Sequence, residues 1–212
     1  MKGIIFDASG TLLNDRIAIY ETNMELRRMY GLPIIEIEES EKYLTSNPAF
    51  WEELYKRPFE EIWKNFSIIF SNHIENINLF PEVKSVLNEI KKKGEKAAVF
   101  TFLSKSQVPQ IFDMLNILEY FDYMVCREDA KPKPSPDGIY MILDKFSLSP
   151  SEACIVDDTD EGIYAGKNAK ITTIGIKRRN YNHYPISRLK ESNPDYLIEE
   201  LTELIDIIGD EK

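Results

Sequence analysis

The chain has 212 residues, 43% of them hydrophobic, and a net charge of 26 − 36 = −10. That length suits one sizeable core, or a core with a small second unit. The surplus of carboxylates argues against a nucleic-acid binder, which needs clustered Lys and Arg, but leaves room for a small anionic substrate in a locally positive pocket. Cys126 and Cys154 lie far apart without metal-ligand spacing and read as buried, reduced thiols. The apolar patch before Asp7 is too short for a signal core, and no apolar run reaches membrane-spanning length. The expectation is a cytoplasmic protein with no membrane partner. The sequence carries no mark of an oligomeric state.

In chain order, Gly3 to Phe6 is an apolar run that reads as a short buried strand, ended by Asp7. Ile17, Tyr20, Met24 and Met29 recur at helical spacing, so a helix is predicted from Ile17 to Tyr30, stopped by Gly31-Leu32-Pro33. A weaker helical pattern covers Glu36 to Leu44. Asn47-Pro48 starts another helix, with Phe50, Trp51, Leu54 and Tyr55 on one face, and Pro58 opens a further one to about Ile74. His73 and His183 belong to no motif and read as structural. Trp51 and Trp63 read as packing residues.

At Phe80-Pro81 the pattern changes. Helices are predicted over Glu82–Lys93, ended by Gly94, then over Val108–Leu115 and Asp137–Phe146, and again after Asp157-Asp158 to about Ala169. Strands are predicted over Ala97–Phe100, Tyr120–Val125, Ala153–Val156, Ile171–Ile176 and Tyr196–Ile198. A terminal helix follows, and the acidic end Gly209-Asp210-Glu211-Lys212 reads as frayed. Alternating strands and helices imply a doubly wound parallel sheet with helices on both faces. The first strand joins that sheet, so the expected α/β core is 1–13 with 81–212, and 14–80 is an inserted all-helical unit.

Ligands of such sheets bind beyond the carboxyl ends of the strands. Asp7 follows the first strand, Thr101 the second, Lys133 lies in the loop after the third, and Asp157 and Asp158 follow the fourth. A nucleophilic carboxylate, a hydroxyl, a cation and an acidic pair make the composition of a phosphoryl-transfer site. Carboxylates also suit Mg2+, a hard cation that takes oxygen ligands. Singly, each has a plainer reading: a turn Asp, a helix cap at Asp157-Asp158-Thr159, a structural Thr101, a solvated Lys131 and Lys133. Their common rim and order favour the functional one.

These stretches resemble the haloacid dehalogenase superfamily. Phe6-Asp7-Ala8-Ser9-Gly10-Thr11-Leu12 is similar to its first motif, Thr101 to its second, Lys133-Pro134-Ser135-Pro136-Asp137 to its third and Val156-Asp157-Asp158-Thr159 to its fourth. The resemblance implies a Rossmann-like core with a helical cap inserted after the first motif. It implies a small phosphorylated substrate, nucleophilic attack by Asp7 and hydrolysis of an aspartyl-phosphate. It also implies Mg2+ held by Asp7, the main-chain carbonyl of Ser9, Asp157 and Asp158. The catalytic positions it marks are Asp7, Ser9, Thr101 and Lys133.

Two positions depart from the pattern. Most phosphatases of the superfamily carry a second Asp, the general acid, where this chain has Ser9, and many carry another Asp where it has Gly162. Losing a general acid forfeits roughly 10²–10⁴-fold in rate, so good leaving groups are expected to be preferred. Asp157, Asp160 and Glu161 are the candidates to replace an acid at 162. Two other enzymatic readings stay open: carbon–halogen cleavage, whose enzymes lack the fourth-motif acids kept here, and phosphonate cleavage, which needs a reactive cap lysine such as Lys42, Lys56 or Lys64. A non-catalytic binding protein on the same fold is the remaining reading.

Overall fold

The computed structural model describes residues 1–41, 47–178 and 185–209. Its elements in chain order are β1 (Gly3–Phe6), β2 (Leu13–Asn14), α1 (Arg16–Met29), α2 (Ile37–Ser40), α3 (Pro48–Tyr55), α4 (Phe59–Phe70), β3 (Asn78–Leu79) and α5 (Val83–Lys93). Then come β4 (Lys96–Phe100), α6 (Gln107–Met114), β5 (Tyr123–Val125), α7 (Asp137–Phe146), β6 (Ala153–Asp157), α8 (Asp160–Ala169), β7 (Thr172–Ile176), α9 (Ile186–Glu191), β8 (Tyr196–Ile198) and α10 (Leu204–Gly209). Positions 42–44 of the helix expected over 36–44, with Lys42 and Tyr43, lie outside the described residues. So do His183 and the acidic end 210–212.

The chain divides into two compact units, one of residues 1–14 with 79–212 and one of residues 15–78. The first unit is an α/β fold built on a six-stranded sheet in the order β5-β4-β1-β6-β7-β8. Every neighbouring pair is parallel. Strands covered on both faces read as unbroken apolar runs, and β1, Gly-Ile-Ile-Phe, is buried throughout. Period-two alternation then sorts its side chains between two layers. Ile5 joins Ala98, Phe100 and Ile155 in a cluster with Ile139, Ile142 and Leu143 of α7 and Ala165 and Ala169 of α8. Phe6 points the other way and meets Phe121 edge-on at 6.3 Å, with Phe112 of α6 packed on Phe121 at 5.1 Å. Gly138 lets α7 close on this sheet: a β-carbon there would stand 2.5 Å from the Phe100 ring.

β1 lies between β4 and β6, where the direction of winding reverses. In open parallel sheets this topological switch point is where ligands bind. In register, Phe6 stands beside Val99 on one side and Val156 on the other. The next residue along each strand is therefore at the rim: Asp7, Phe100 with Thr101 behind it, and Asp157.

The second unit is helical. α3 starts at Asn47, whose side chain accepts from Ala49 N–H, with Pro48 in the first turn. α4 shows one apolar face at helical spacing, and along it Phe59, Trp63, Phe66 and Phe70 stack in succession at 5.9, 4.9 and 5.8 Å. Trp51 stacks on Tyr55 at 5.8 Å. The helix predicted to run to Ile74 ends at Phe70 instead. Asn72 and His73 donate to carbonyls three residues back, and Ser71 returns its hydroxyl to Ser67 O, so a turn replaces the last helical turn. His73 lies between Glu21 at 3.1 Å and Glu25 at 2.9 Å. Its role is to pin that turn to α1.

Truncating Ile155, wholly buried at the centre of the sheet cluster, removes packing on both β6 and α8. Ile155→Ala is expected to lower unfolding free energy by about 2–5 kcal/mol. In urea the midpoint should fall while the slope stays unchanged.

Candidate active site

The loop after β1 is built by its own backbone. Leu12 and Leu13 N–H both donate to the Ala8 carbonyl at 2.9 Å, and Gly10 N–H donates to the Leu13 carbonyl at 2.9 Å. Gly10 has a φ of +71°, which a side chain would strain, and its α-carbon lies against Asp158: a β-carbon there would stand 2.2 Å from Oδ2. The glycine behind Asp7 thus lets the first loop reach the acid of the fourth. Thr11, fully buried, donates its hydroxyl to Asp158 Oδ1 at 3.1 Å.

Lys133 joins the two central acids. Its Nζ lies 2.6 Å from Asp7 Oδ1 and 2.6 Å from Asp157 Oδ2. Asp7 and Asp158 are each 7% exposed and Asp157 is wholly buried. Burial alone would push the Lys133 pKa down, but the charges and hydrogen bonds of Asp157 and Asp7 outweigh it and the net shift is upward. Lys133 therefore stays a cation throughout the physiological range. It also lies 5.2 Å from the centre of the Phe100 ring.

Asp157 is the last residue of β6, one place beyond the Val156 end expected from sequence. Its Oδ1 accepts from Thr159 N–H at 2.9 Å and the Thr159 hydroxyl at 2.7 Å. Thr159 in turn caps α8, accepting from Gly162 N–H at 3.1 Å. The cap reading of this segment and the site reading hold together, carried by different residues. Gly162 has its own explanation: a β-carbon there would stand 1.8 Å from Asp157 Oδ2. The Asp157 carboxylate fills the volume that any side chain at 162 would need, so an acid at 157 and a glycine at 162 go together.

Thr101 is buried at the adjacent strand end, and its hydroxyl accepts from Leu103 N–H at 3.3 Å, closing the loop after β4. Ser9 sits half-buried in the first loop, bridged to Leu13. The structure thus brings Asp7, Lys133 and Asp157 into direct contact, with Asp158 tied to them through the first loop. Ser9 and Thr101 stand on the same rim.

Among the described residues no three acids, His or Cys are drawn together as a ready metal cage, because the Lys133 ammonium stands between Asp7 and Asp157. The donor chemistry nonetheless fits a hard divalent cation. The carboxylate oxygens of Asp7, Asp157 and Asp158, buried at one rim of the sheet, are the ligand type such an ion takes.

The comparisons agree with this geometry. Residues 4–176 match the model of the haloacid dehalogenase-like hydrolases. The chain belongs to that family. It is 32% identical to a phosphoglycolate phosphatase of Aquifex aeolicus over 82% of this chain and 83% of the relative. It is 27% identical to the pyrophosphatase PpaX of Bacillus velezensis over 99% and 97%. A haloacid dehalogenase-like hydrolase from Streptococcus pneumoniae shares the fold, with a TM-score of 0.85 at 20% identity over 98% of both chains. The chain is accordingly a hydrolase of the phosphatase branch.

The Thr11–Asp158 hydrogen bond and the volume relation between Asp157 and Gly162 were not identifiable from sequence. Both depend on which way a side chain turns after its strand.

Gly162→Ala is expected to cost about 1–3 kcal/mol through overpacking. The cost should disappear in an Asp157→Gly background, because the two positions share one volume. Urea unfolding of the four proteins measures the coupling; equal costs in both backgrounds would contradict the shared volume.

Proposed function

We propose that the chain is a Mg2+-dependent phosphatase that passes the phosphoryl group of a small phosphorylated metabolite through Asp7. The observation that carries this reading is the Lys133 ammonium held between the Asp7 and Asp157 carboxylates at the switch point of the sheet. In it, a carboxylate oxygen of Asp7 attacks phosphorus as the bond to the leaving oxygen breaks and the electron pair departs with that oxygen. Water then attacks phosphorus, the Asp7 oxygen–phosphorus bond breaks, and phosphate and a proton are released. Lys133 offers its positive charge to the phosphoryl oxygens beside Asp7, where charge develops. The Thr101 hydroxyl is the further polar group available to them. Asp7, the Ser9 main-chain carbonyl, Asp157 and Asp158 are the groups that would hold Mg2+. That ion, when bound, would supply charge neutralisation on the phosphoryl group.

Ser9 sets the substrate preference. A serine hydroxyl is far too weak an acid to protonate a departing alkoxide, whereas phosphate or a phenolate leaves without such help. Of the two kinds of relative, the pyrophosphatase is named for an anhydride and the phosphoglycolate phosphatase for an ester. Ser9 favours the anhydride side for this chain. The acid pair Asp157-Asp158 favours phosphoryl chemistry over carbon–halogen cleavage.

Phosphate release from an aryl phosphate and from pyrophosphate should need both Mg2+ and Asp7, and be lost with chelator or in Asp7→Asn. Their kcat/KM should exceed that of an alkyl phosphate by at least about 100-fold, and Ser9→Asp should narrow the gap by raising alkyl turnover. Equal turnover of alkyl and aryl esters by the native protein would contradict the role given to Ser9. Turnover that survives Asp7→Asn would contradict the nucleophile.

A further inference from the structure

Arg178 follows β7 by two residues and is only 5% exposed. Its guanidinium reaches two other stretches of the same unit. Nη1 donates to Glu82 Oε1, Nη2 donates to the main-chain carbonyl of Thr11, and the guanidinium carbon lies 4.0 Å from the centre of the Phe80 ring. Glu82 Oε1 also accepts from Leu201 N–H at 3.2 Å. Burial would raise the Glu82 pKa, but hydrogen bonds from backbone N–H groups and the Arg178 charge outweigh it, so Glu82 stays ionised. Phe80 N–H donates to the Leu12 carbonyl at 3.2 Å. One cation therefore fastens the stretch leaving the first loop to the stretch that returns at 80–82. Only a planar fork can serve a carboxylate and a carbonyl at once while lying on an aromatic face.

Thr11 faces two ways. Its carbonyl accepts from Arg178 and its hydroxyl donates to Asp158 Oδ1. A salt bridge kept only for stability has no need of the Thr11 carbonyl. We propose that Arg178 is a positioning residue: by holding the Thr11 carbonyl it aims the Thr11 hydroxyl at Asp158, and so sets the affinity of the site for its divalent cation. This rests on the reading of Asp158 as a cation-holding acid.

The test is calorimetric titration of Mg2+ into the full chain, without substrate, for the native protein, Thr11→Val, Arg178→Lys, Arg178→Met and the Thr11→Val/Arg178→Met double variant. Ile142→Val, in the α7 cluster, serves as a control for lost stability. Groups that orient a ligand's carboxylate typically change metal affinity by about 10–100-fold. Thr11→Val should weaken Mg2+ binding within that range. Arg178→Met should weaken it in the same direction, Arg178→Lys by less. The double variant should be no weaker than Thr11→Val alone, because both act through one path. Should Arg178→Met not fold, Arg178→Lys and Thr11→Val carry the test. Native Mg2+ affinity in the Arg178 variants, with a lowered melting temperature like that of the control, would overturn the proposal and leave the reading of Asp158 standing. Additive losses in the double variant would also overturn it. No Mg2+ binding by the native protein would overturn that reading and this proposal together.

Discussion

Lys133 Nζ lies 2.6 Å from a carboxylate oxygen of Asp7 and 2.6 Å from one of Asp157, with its side chain only 9% exposed. Two like charges on neighbouring strand ends repel strongly when shielded from water. A shared ammonium turns that repulsion into a bridge across the mouth of the β1–β6 crevice. The remaining features of the rim follow from keeping that bridge in place. Asp157 spends its other oxygen on Thr159, which fixes the carboxylate and begins α8 in the same few residues. Phe100 lies beneath the ammonium, and Gly138 lets α7 approach that ring closely.

Two glycines show how tightly the acids are housed. Gly10 and Gly162 each put a bare α-carbon against a carboxylate, Asp158 in one case and Asp157 in the other. Neither place admits a side chain while the acid keeps its position. The first loop needs a left-handed turn as well, and Gly10 provides it.

The α/β class and the parallel sheet were legible because buried strands and amphipathic helices have different periods. Gly3–Phe6, Tyr196–Ile198 and Asp137–Phe146 fall where the pattern puts them. The end of α4 was less legible, because Ile74 continues the apolar spacing while Ser71 and Asn72 prefer a turn. At the site, the rim positions of Asp7, Thr101, Lys133 and Asp157-Asp158 were readable from strand ends alone. What sequence could not supply was side-chain direction. Lys133 resembles Lys131, two places earlier and exposed, and only the likeness of Lys133-Pro134-Ser135-Pro136-Asp137 to the third motif separates the two. Arg178 lies in a run of basic residues, Lys177-Arg178-Arg179, that belongs to none of the four motifs. Its burial against Phe80 and Glu82 depends on chain stretches almost a hundred residues away.

The central claim is that Asp7, held on Lys133, takes the phosphoryl group. Its most direct test is to quench the protein during turnover of an aryl phosphate, reduce it with borohydride and sequence the peptides by mass spectrometry. An acyl-phosphate on Asp7 is reduced to homoserine at that position, and this is the predicted result. Unmodified Asp7 in a protein that is releasing phosphate, or homoserine at Asp157 or Asp158 instead, would contradict the account.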